Sequence, residues 1–127
     1  MIRASVFAAA AAMAMLLTGA AAHAAGNAEN GEKVFKRSCT ACHIATKDGA
    51  KRLGPPLFGI VGRKSGSVEG FRYSEANKGA NVTWTPDVLN TYLTDPKKMI
   101  PGTTMAFVGI KNDAERADLI AYLETLK

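Results

Sequence analysis

Apolar side chains recur at helical spacing in the stretch that follows Asn27, a residue type that can cap a helix. Gly31, Val34, Phe35 and Ser38 fall on one stripe, and the neighbouring charged side chains lie largely outside it. The pattern predicts an amphipathic helix over about 28–39. Gly31 lowers helix propensity in mid-helix, so it indicates either close contact with another backbone or an ordinary surface glycine.

The clearest helical pattern lies at the C-terminal end of the chain. Asn112 is a capping residue, and Glu115 follows at the spacing of a capping box. The pattern therefore predicts a final helix that begins after Asn112. Its apolar side consists of Leu119, Ile120, Leu123 and Leu126.

Shorter helices are predicted on the N-terminal side of this final helix. Thr85-Pro86-Asp87 combines a cap, a first-turn proline and a first-turn acid, so a helix should run from there to about Thr94. Asp95-Pro96 repeats the signal and opens a short helix that ends before Pro101-Gly102. A further short helix is expected to begin at Ser74.

The region from Ile44 to Thr83 is predicted to be mainly loops. Glycine recurs throughout it, and no stretch sustains the alternation of a strand. A loop region of this length is unusual in a compact domain with an ordinary core. It is expected where loops wrap a flat cofactor that replaces part of that core.

The first residues have the pattern of a secretory signal peptide. Arg3 precedes an apolar run from Val6 to Leu17, and Ala22-His23-Ala24 matches a cleavage site, so Ala25 is the predicted mature start. The alternative is an uncleaved membrane anchor, because 4–25 holds no charged side chain apart from His23. We expect residues 1–24 to be removed and 25–127 to form a single domain exported into a periplasm.

Charge and length narrow the classes of function. The chain has 16 basic and 11 acidic residues, a formal net charge of +5, and loss of Arg3 would lower that charge by one. A modest basic excess favours acidic partners or surfaces. No basic run exceeds two residues, which argues against nucleic acid. A domain this small buries a limited core of its own.

The two cysteines stand in Cys39-Thr40-Ala41-Cys42-His43, the attachment pattern of c-type haem. Each thiol can add across one haem vinyl group, and the imidazole of His43 can bind the iron. Zinc would need about four ligands, whereas residues 25–127 contain three Cys and His side chains. A redox dithiol would need a strand-helix-strand context, and a disulfide would close a very small loop. Haem attachment is the prediction, with zinc and dithiol chemistry as alternatives.

A haem iron bound by His43 has one further ligand position. Residues 25–127 hold no second histidine, so the candidates are Met99, Met105, a lysine or no ligand. Met99 ends a short predicted helix and can simply fill a gap in the core. Met105 follows a turn that can bring the chain back across the ring. Spacing favours Met105 and leaves Met99 open.

Several sequence blocks, among them 39–43, Gly54-Pro55 and 97–103, resemble class I cytochrome c, in particular the short bacterial cytochromes c2 and mitochondrial cytochrome c. The resemblance covers essentially all of 25–127. It implies an all-α class I cytochrome c fold, with crossing N- and C-terminal helices and with short helices and loops wrapped around one covalently bound haem. The matching blocks are 39–43, Gly54-Pro55, Gly62-Arg63-Lys64, Trp84, 97–103, Met105-Ala106-Phe107, Gly109-Ile110-Lys111 and 115–123.

The resemblance also implies a role for individual residues. Cys39 and Cys42 would hold the haem, and His43 and Met105 would be its axial ligands. The carbonyl of Pro55 would accept the other imidazole proton. Around the haem, Arg63, Tyr73, Asn77 and Trp84 would lie near the propionates, with Tyr92 and Thr103 near Met105. At the helix crossing, Gly31 and Phe35 would pack against Leu119 and Tyr122.

Two positions depart from the family pattern at the exposed haem edge. Thr104 stands where a lysine usually precedes the methionine ligand, and Ser38 stands where a lysine often precedes the first haem cysteine. Positive charge at other matching positions still implies a docking face, although each of these charges could equally be an ordinary solvated one. The implied docking residues are Lys33, Arg37, Arg52, Lys97, Lys98 and Lys111.

The implied function is electron transfer and not enzymatic catalysis. A histidine–methionine ligand pair leaves no iron position for a substrate or oxygen, and a soft thioether favours ferrous iron. We expect a periplasmic monomer that shuttles single electrons from a cytochrome bc complex to a terminal oxidase or photosynthetic reaction centre through acidic docking faces. No nucleic acid and no small-molecule substrate are expected. A haem peroxidase and a gas-binding module are the alternatives, and both need an open or weakly held iron position.

Overall fold

The computed structural model describes residues 25–127, so the predicted leader at 1–24 and its cleavage site lie outside the described residues. The described chain forms the helices α1 (Ala28–Ser38), α2 (Glu75–Gly79), α3 (Pro86–Thr94), α4 (Pro96–Met99) and α5 (Asp113–Glu124). Outside the helices, Lys64 and Thr83 form one isolated antiparallel bridge. The all-α prediction is confirmed. Across residues 25–127 no helix has the length and apolar character needed to cross a membrane.

Each helix begins at the capping residue that the sequence indicates. A side-chain oxygen of the cap accepts a hydrogen bond from a first-turn amide that has no partner within the helix. The Glu115 carboxylate accepts a hydrogen bond from Arg37 of α1 at 3.1 Å. The caps are Asn27 for α1, Ser74 for α2, Thr85 for α3, Asp95 for α4 and Asn112 for α5.

Helices α1 and α5 cross with their backbones in close contact at Gly31. A Cβ atom at this position would overlap the carbonyl oxygen of Asp118 and would lie 2.8 Å from Cβ of Tyr122. The rings of Phe35 and Tyr122 pack beside this point, with centroids 5.3 Å apart. Gly31 is therefore a contact glycine, and the alternative of a surface glycine is wrong.

The core lies between α1, α3 and α5 and is completed by side chains from the long loops. Leu119 of α5 is 1% exposed and lies deepest. Ile60, Ile100 and Ile110 belong to the same cluster although they lie outside the helices. Partly buried side chains pack against this cluster, and they include Cys39, Leu57, Met99, Met105 and Phe107. The residues of the candidate site thus border the core.

Candidate haem site

The imidazole of His43 is held by a main-chain carbonyl. Its Nδ1 lies 2.7 Å from the carbonyl oxygen of Pro55. Because a carbonyl oxygen can only accept, Nδ1 carries the proton and Nε2 keeps a lone pair. Burial lowers the pKa of His43, and the hydrogen bond to Pro55 opposes that effect in part. The ring is therefore neutral at neutral pH, with Nε2 available as a metal ligand.

The segment 52–57 runs beside the cysteine-histidine motif and is hydrogen-bonded to it at successive positions. These bonds hold the motif in one conformation, because the segment contacts it before, at and after His43. They run from Arg52 Nη1 to the Thr40 carbonyl at 3.0 Å, from Gly54 N to the Cys42 carbonyl at 2.9 Å, and from Leu57 N to the Ile44 carbonyl at 2.8 Å.

The two thiols fit attachment to haem better than the alternative chemistries. Cys39 and Cys42 are free and half-buried. The pKa of Cys39 is raised to about 11, mainly by burial and to a smaller extent by the neighbouring Cys42. A reactive dithiol needs a lowered thiol pKa, whereas an uncharged thioether suits apolar surroundings. Among residues 25–127 no three or more His, Cys, Asp and Glu side chains lie together as a metal site, so the zinc alternative lacks its ligands.

Met105 lies in a network of polar side chains. The hydroxyl of Tyr92 donates to Met105 Sδ at 3.1 Å, and the Met105 amide donates to Thr103 Oγ1 at 3.2 Å. Thr103 Oγ1 in turn donates to Asn77 Oδ1 at 2.8 Å. Burial raises the pKa of Tyr92, although its hydrogen bonds with Thr103 and Asn77 act in the opposite direction. The tyrosine therefore stays a protonated donor to the sulfur.

Met99 lies apart from this network, at the last residue of α4. It lines a cavity of about 330 Å³ together with Ala76, Val82 and Ile100. These neighbours are apolar, and Met99 is itself partly buried against the core. Its position matches that of a methionine that fills irregular space between elements.

Arg63 and Trp84, which share a main-chain hydrogen bond, link the loop beside His43 to the side chains around Met105. The Trp84 amide donates to the Arg63 carbonyl at 2.9 Å, and the Trp84 ring lies 4.7 Å from that of Tyr92. The Arg63 guanidinium donates to the carbonyls of Pro56, at 2.9 Å, and Phe58. Burial lowers the pKa of Arg63.

Tyr73 sits farther along the loop that leads to α2. Its hydroxyl accepts a hydrogen bond from the Val68 amide at 3.1 Å, and its ring packs against Phe71 with centroids 4.8 Å apart. Tyr73 also acts electrostatically on Arg63. Tyr73 and Arg63, two of the four side chains implied for the propionates, thus influence each other.

The six implied docking cations differ in the partners that their charged groups have. Lys33 pairs with Glu29, Arg37 with Glu115 and Lys111 with Asp95, at 3.5, 3.1 and 3.9 Å. Arg52 donates to a main-chain carbonyl, as described above. Lys97 and Lys98 are exposed on α4 and make no ion pair within the part of the chain that the structure describes.

Arg116 is a buried residue that the sequence analysis did not single out. It is 6% exposed and donates to Asn90 Oδ1 at 2.7 Å, to the Ile110 carbonyl at 2.9 Å and to Asp113 Oδ1 at 2.6 Å. It ties α5 to α3. Its place three residues before Leu119, on the apolar stripe of α5, is the signal that could have revealed its burial.

The described residues match the family model for cytochrome c, described as "Cytochrome c", over 28–127. The chain belongs to the cytochrome c family. It has the class I, all-α fold of that family. Cytochromes c bind one covalently attached haem c and act as electron carriers, and the cysteine-histidine motif of this cytochrome c stands where that haem is attached.

Individual relatives are similar over most of their length. The cytochrome c of Trypanosoma brucei brucei is 63% identical over 83 residues, which are 65% of this chain and 89% of that protein. The cytochrome c of Gibberella zeae is 50% identical over 101 residues, 80% of this chain and 95% of that protein. The cytochrome c of Chlamydomonas reinhardtii is 53% identical over 100 residues, 79% and 89% of the two chains.

These relatives correct the predicted location. The periplasmic prediction rested on the apolar segment at 1–24, but the relatives are cytochromes c of a trypanosome, a fungus and a green alga. The similar proteins come from cells that have no periplasm, so the periplasmic prediction has no support among them and is wrong. An apolar N-terminal pattern does not by itself specify a compartment.

Proposed function

We propose that this cytochrome c carries single electrons through a haem attached at Cys39 and Cys42, with His43 and Met105 as its axial ligands. The observation that supports this most is the hydrogen bond of 3.1 Å from Tyr92 to Met105 Sδ. A thioether held in place by a buried tyrosine can occupy the second ligand position permanently. A permanently filled position separates a carrier from a haem enzyme or a gas-binding protein.

Hydrogen bonds within the chain fix the positions of the two proposed ligands. The Pro55 carbonyl accepts a hydrogen bond from His43 Nδ1 and so fixes the tautomer and the direction of Nε2. Thr103 and Tyr92 hold the main chain and the sulfur of Met105. A haem bound there would supply an iron that changes by one electron between ferric and ferrous states. Because the ligand supports are hydrogen bonds within the fold, little has to rearrange when charge changes.

The proposed partners are membrane electron-transfer complexes with acidic docking faces. A cytochrome bc complex would be the donor, and a terminal oxidase or photosynthetic reaction centre would be the acceptor. Lys97 and Lys98, which make no ion pair among residues 25–127, supply positive charge for such a face. Leu53 and Val108 are 84% and 80% exposed, next in sequence to Gly54 and Phe107, and can give apolar contact. The protein would act as a monomer, without nucleic acid or a small-molecule substrate.

The visible spectrum of the purified ferric protein tests this function. Methionine ligation is expected to produce a weak band near the red end of the spectrum, and the same sample should titrate as a one-electron couple of raised potential. A five-coordinate spectrum, or rapid binding of an added gas or peroxide, would instead favour one of the alternatives.

We also propose that residues 25–127 work as one domain after removal of 1–24. The intact mass of the purified protein, measured with its haem, tests this boundary. A mass that includes the leader would contradict it.

A further inference from the structure

Gly54 lies directly against the imidazole of His43. A Cβ atom at Gly54 would overlap Cε1 of the ring and would lie 2.7 Å from Nδ1 and 2.8 Å from Nε2. Non-bonded carbon atoms rest about 3.5–4.0 Å apart. The ring therefore occupies the space that any side chain at position 54 would need.

The backbone of Gly54 does not itself require glycine. Gly54 is absent from the glycines with positive φ in the described chain, so its φ angle is open to residues with a side chain. Its amide donates to the Cys42 carbonyl at 2.9 Å, a bond that alanine would also make. The contact with His43 is thus the feature that excludes a side chain here.

We propose that Gly54 is a positioning residue for the redox centre, which by lacking a side chain allows His43 to reach the carbonyl of Pro55. This inference rests on the proposed ligand role of His43. Gly54 and Pro55 are adjacent in the chain and both touch the same ring. A methyl group at 54 must move either the ring or the chain, and both movements lengthen the hydrogen bond from Nδ1 to the Pro55 carbonyl.

A longer bond to Pro55 changes the electronic character of His43. A carbonyl that accepts the Nδ1 proton raises the basicity of the ligating nitrogen. A more basic ligand stabilises ferric iron more than ferrous iron, because the ferric ion carries the greater positive charge. Gly54→Ala should therefore weaken the preference for the ferric state and shift the midpoint potential to a more positive value.

Gly79 provides a matched control for the same chemical change. A Cβ atom at Gly79 would have no heavy atom within 4 Å, and Gly79 is likewise absent from the glycines with positive φ. It is the last residue of α2. Gly79→Ala thus adds one methyl group to the haem protein without touching His43.

The experiment compares wild type, Gly54→Ala and Gly79→Ala as full-length haem proteins. The measurements are midpoint potential and, by NMR, solvent exchange of the His43 Nδ1 proton. We expect Gly54→Ala to shift the potential upward and to speed the exchange roughly tenfold or more, in keeping with a weakened hydrogen bond. Gly79→Ala should leave both unchanged. A Gly54→Ala protein with wild-type potential and exchange would overturn the proposal.

The wild-type protein gives a second test that does not depend on a variant that folds. With the chain at 54–55 against the ring, the Nδ1 proton should exchange slowly, and rapid exchange would overturn the proposal. The two levels of inference remain distinguishable. If the ring protons of His43 show no paramagnetic shift in the ferric wild type, the assignment of His43 as a ligand fails. If they are shifted and Gly54→Ala behaves as wild type, only the role of Gly54 fails.

Discussion

At the scale of single residues, each proposed ligand depends on one polar neighbour. The carbonyl of Pro55 lies 2.7 Å from His43 Nδ1, and the hydroxyl of Tyr92 lies 3.1 Å from Met105 Sδ. Neither neighbour is charged, so both can support a ligand in a buried site without the cost of burying an ion. Ligand identity is therefore a question that single substitutions can answer.

The two methionines should respond differently to substitution. Met105→Ala is expected to abolish the methionine-ligated spectrum and to lower the reduction potential, because a soft ligand that favours ferrous iron is lost. Met99→Leu is the control, and it should leave both nearly unchanged, since Met99 borders a separate cavity beside α2 and is not hydrogen-bonded to Tyr92. The measurements are the ferric visible spectrum and a redox titration. Loss of the band in Met99→Leu alone would show that the wrong methionine was assigned.

The behaviour of the ferric protein at high pH tests the effect of having Thr104 where the family usually has a lysine. In the family, a neutral lysine amine displaces the methionine from ferric protein at high pH, and two lysines usually compete. Thr104 removes the lysine beside Met105, whereas Lys98 on α4 is exposed and unpaired within the described chain. We therefore expect one alkaline conformer, observed by paramagnetic NMR, and expect Lys98→Ala to remove it. The idea fails if wild type shows two lysine-bound species or if the variant keeps the same form.

At the scale of elements, the crossing of α1 and α5 organises the fold. The contact is close enough that Gly31 meets the main chain of Asp118, whose carboxylate also accepts the Asn27 amide at 2.6 Å. Arg37 and Glu115 pair across the same two helices at 3.1 Å. The crossing thus joins the two ends of the described chain and closes the core.

Substitution of Gly31 should disturb this crossing. Gly31→Ala forces the helices apart, and overpacking of this kind typically costs 1–3 kcal/mol of unfolding free energy, so we expect a loss of about that size. Gly79→Ala, in open space on α2, should instead change stability by less than about 1 kcal/mol, and in the stabilising direction. Denaturant unfolding of the haem proteins measures both. Equal stabilities for the two variants would show that the helices do not approach closely at Gly31.

At the scale of the whole molecule, the haem and the loops depend on each other. Between α1 and α2 the chain has no regular helix, and its partly buried residues line the candidate site. Contacts that a group makes only in the native state stabilise that state, even when the group stays covalently attached to the unfolded chain. The covalent cofactor should therefore supply much of the free energy that orders these loops.

A chain that cannot attach haem should not fold. Replacement of Cys39 and Cys42 by serine together is expected to give a largely unfolded protein by far-ultraviolet circular dichroism. The change of sulfur to oxygen is small, so lost packing of the two side chains cannot itself account for global unfolding. A cooperative, native-like thermal transition in the haem-free double variant would contradict this expectation.

Electron transfer to an acidic partner should slow as salt is added. Attraction between exposed charges is screened over roughly 8 Å at physiological ionic strength. Neutralising Lys97 and Lys98 to glutamine should weaken the salt dependence of the association rate, because these lysines have no intramolecular ion pair in the described chain. Lys33→Gln is the control, and a smaller effect is expected because Lys33 pairs with Glu29. Rates that stay constant over a wide salt range would exclude this surface.

The sequence by itself determined the helices and the cofactor. Caps such as Asn27, Thr85 and Asn112 bond to amides three residues away, so their signals are local and readable along the chain. The motif at 39–43 is local for the same reason, because its residues must reach one ring. By contrast, the leader could not identify a compartment, and that prediction was wrong.

Only the tertiary structure decided what depends on contacts between distant residues. The hydrogen bond from Tyr92 distinguishes Met105 from Met99. Lys33 pairs with Glu29, whereas Lys98 makes no ion pair within 25–127. The structure also explains Gly54, whose φ angle does not demand glycine but whose missing side chain leaves room for the ring of His43, 11 positions earlier. Such constraints arise when folding brings distant residues into contact. The order of residues along the chain does not show which atoms will then be too close together.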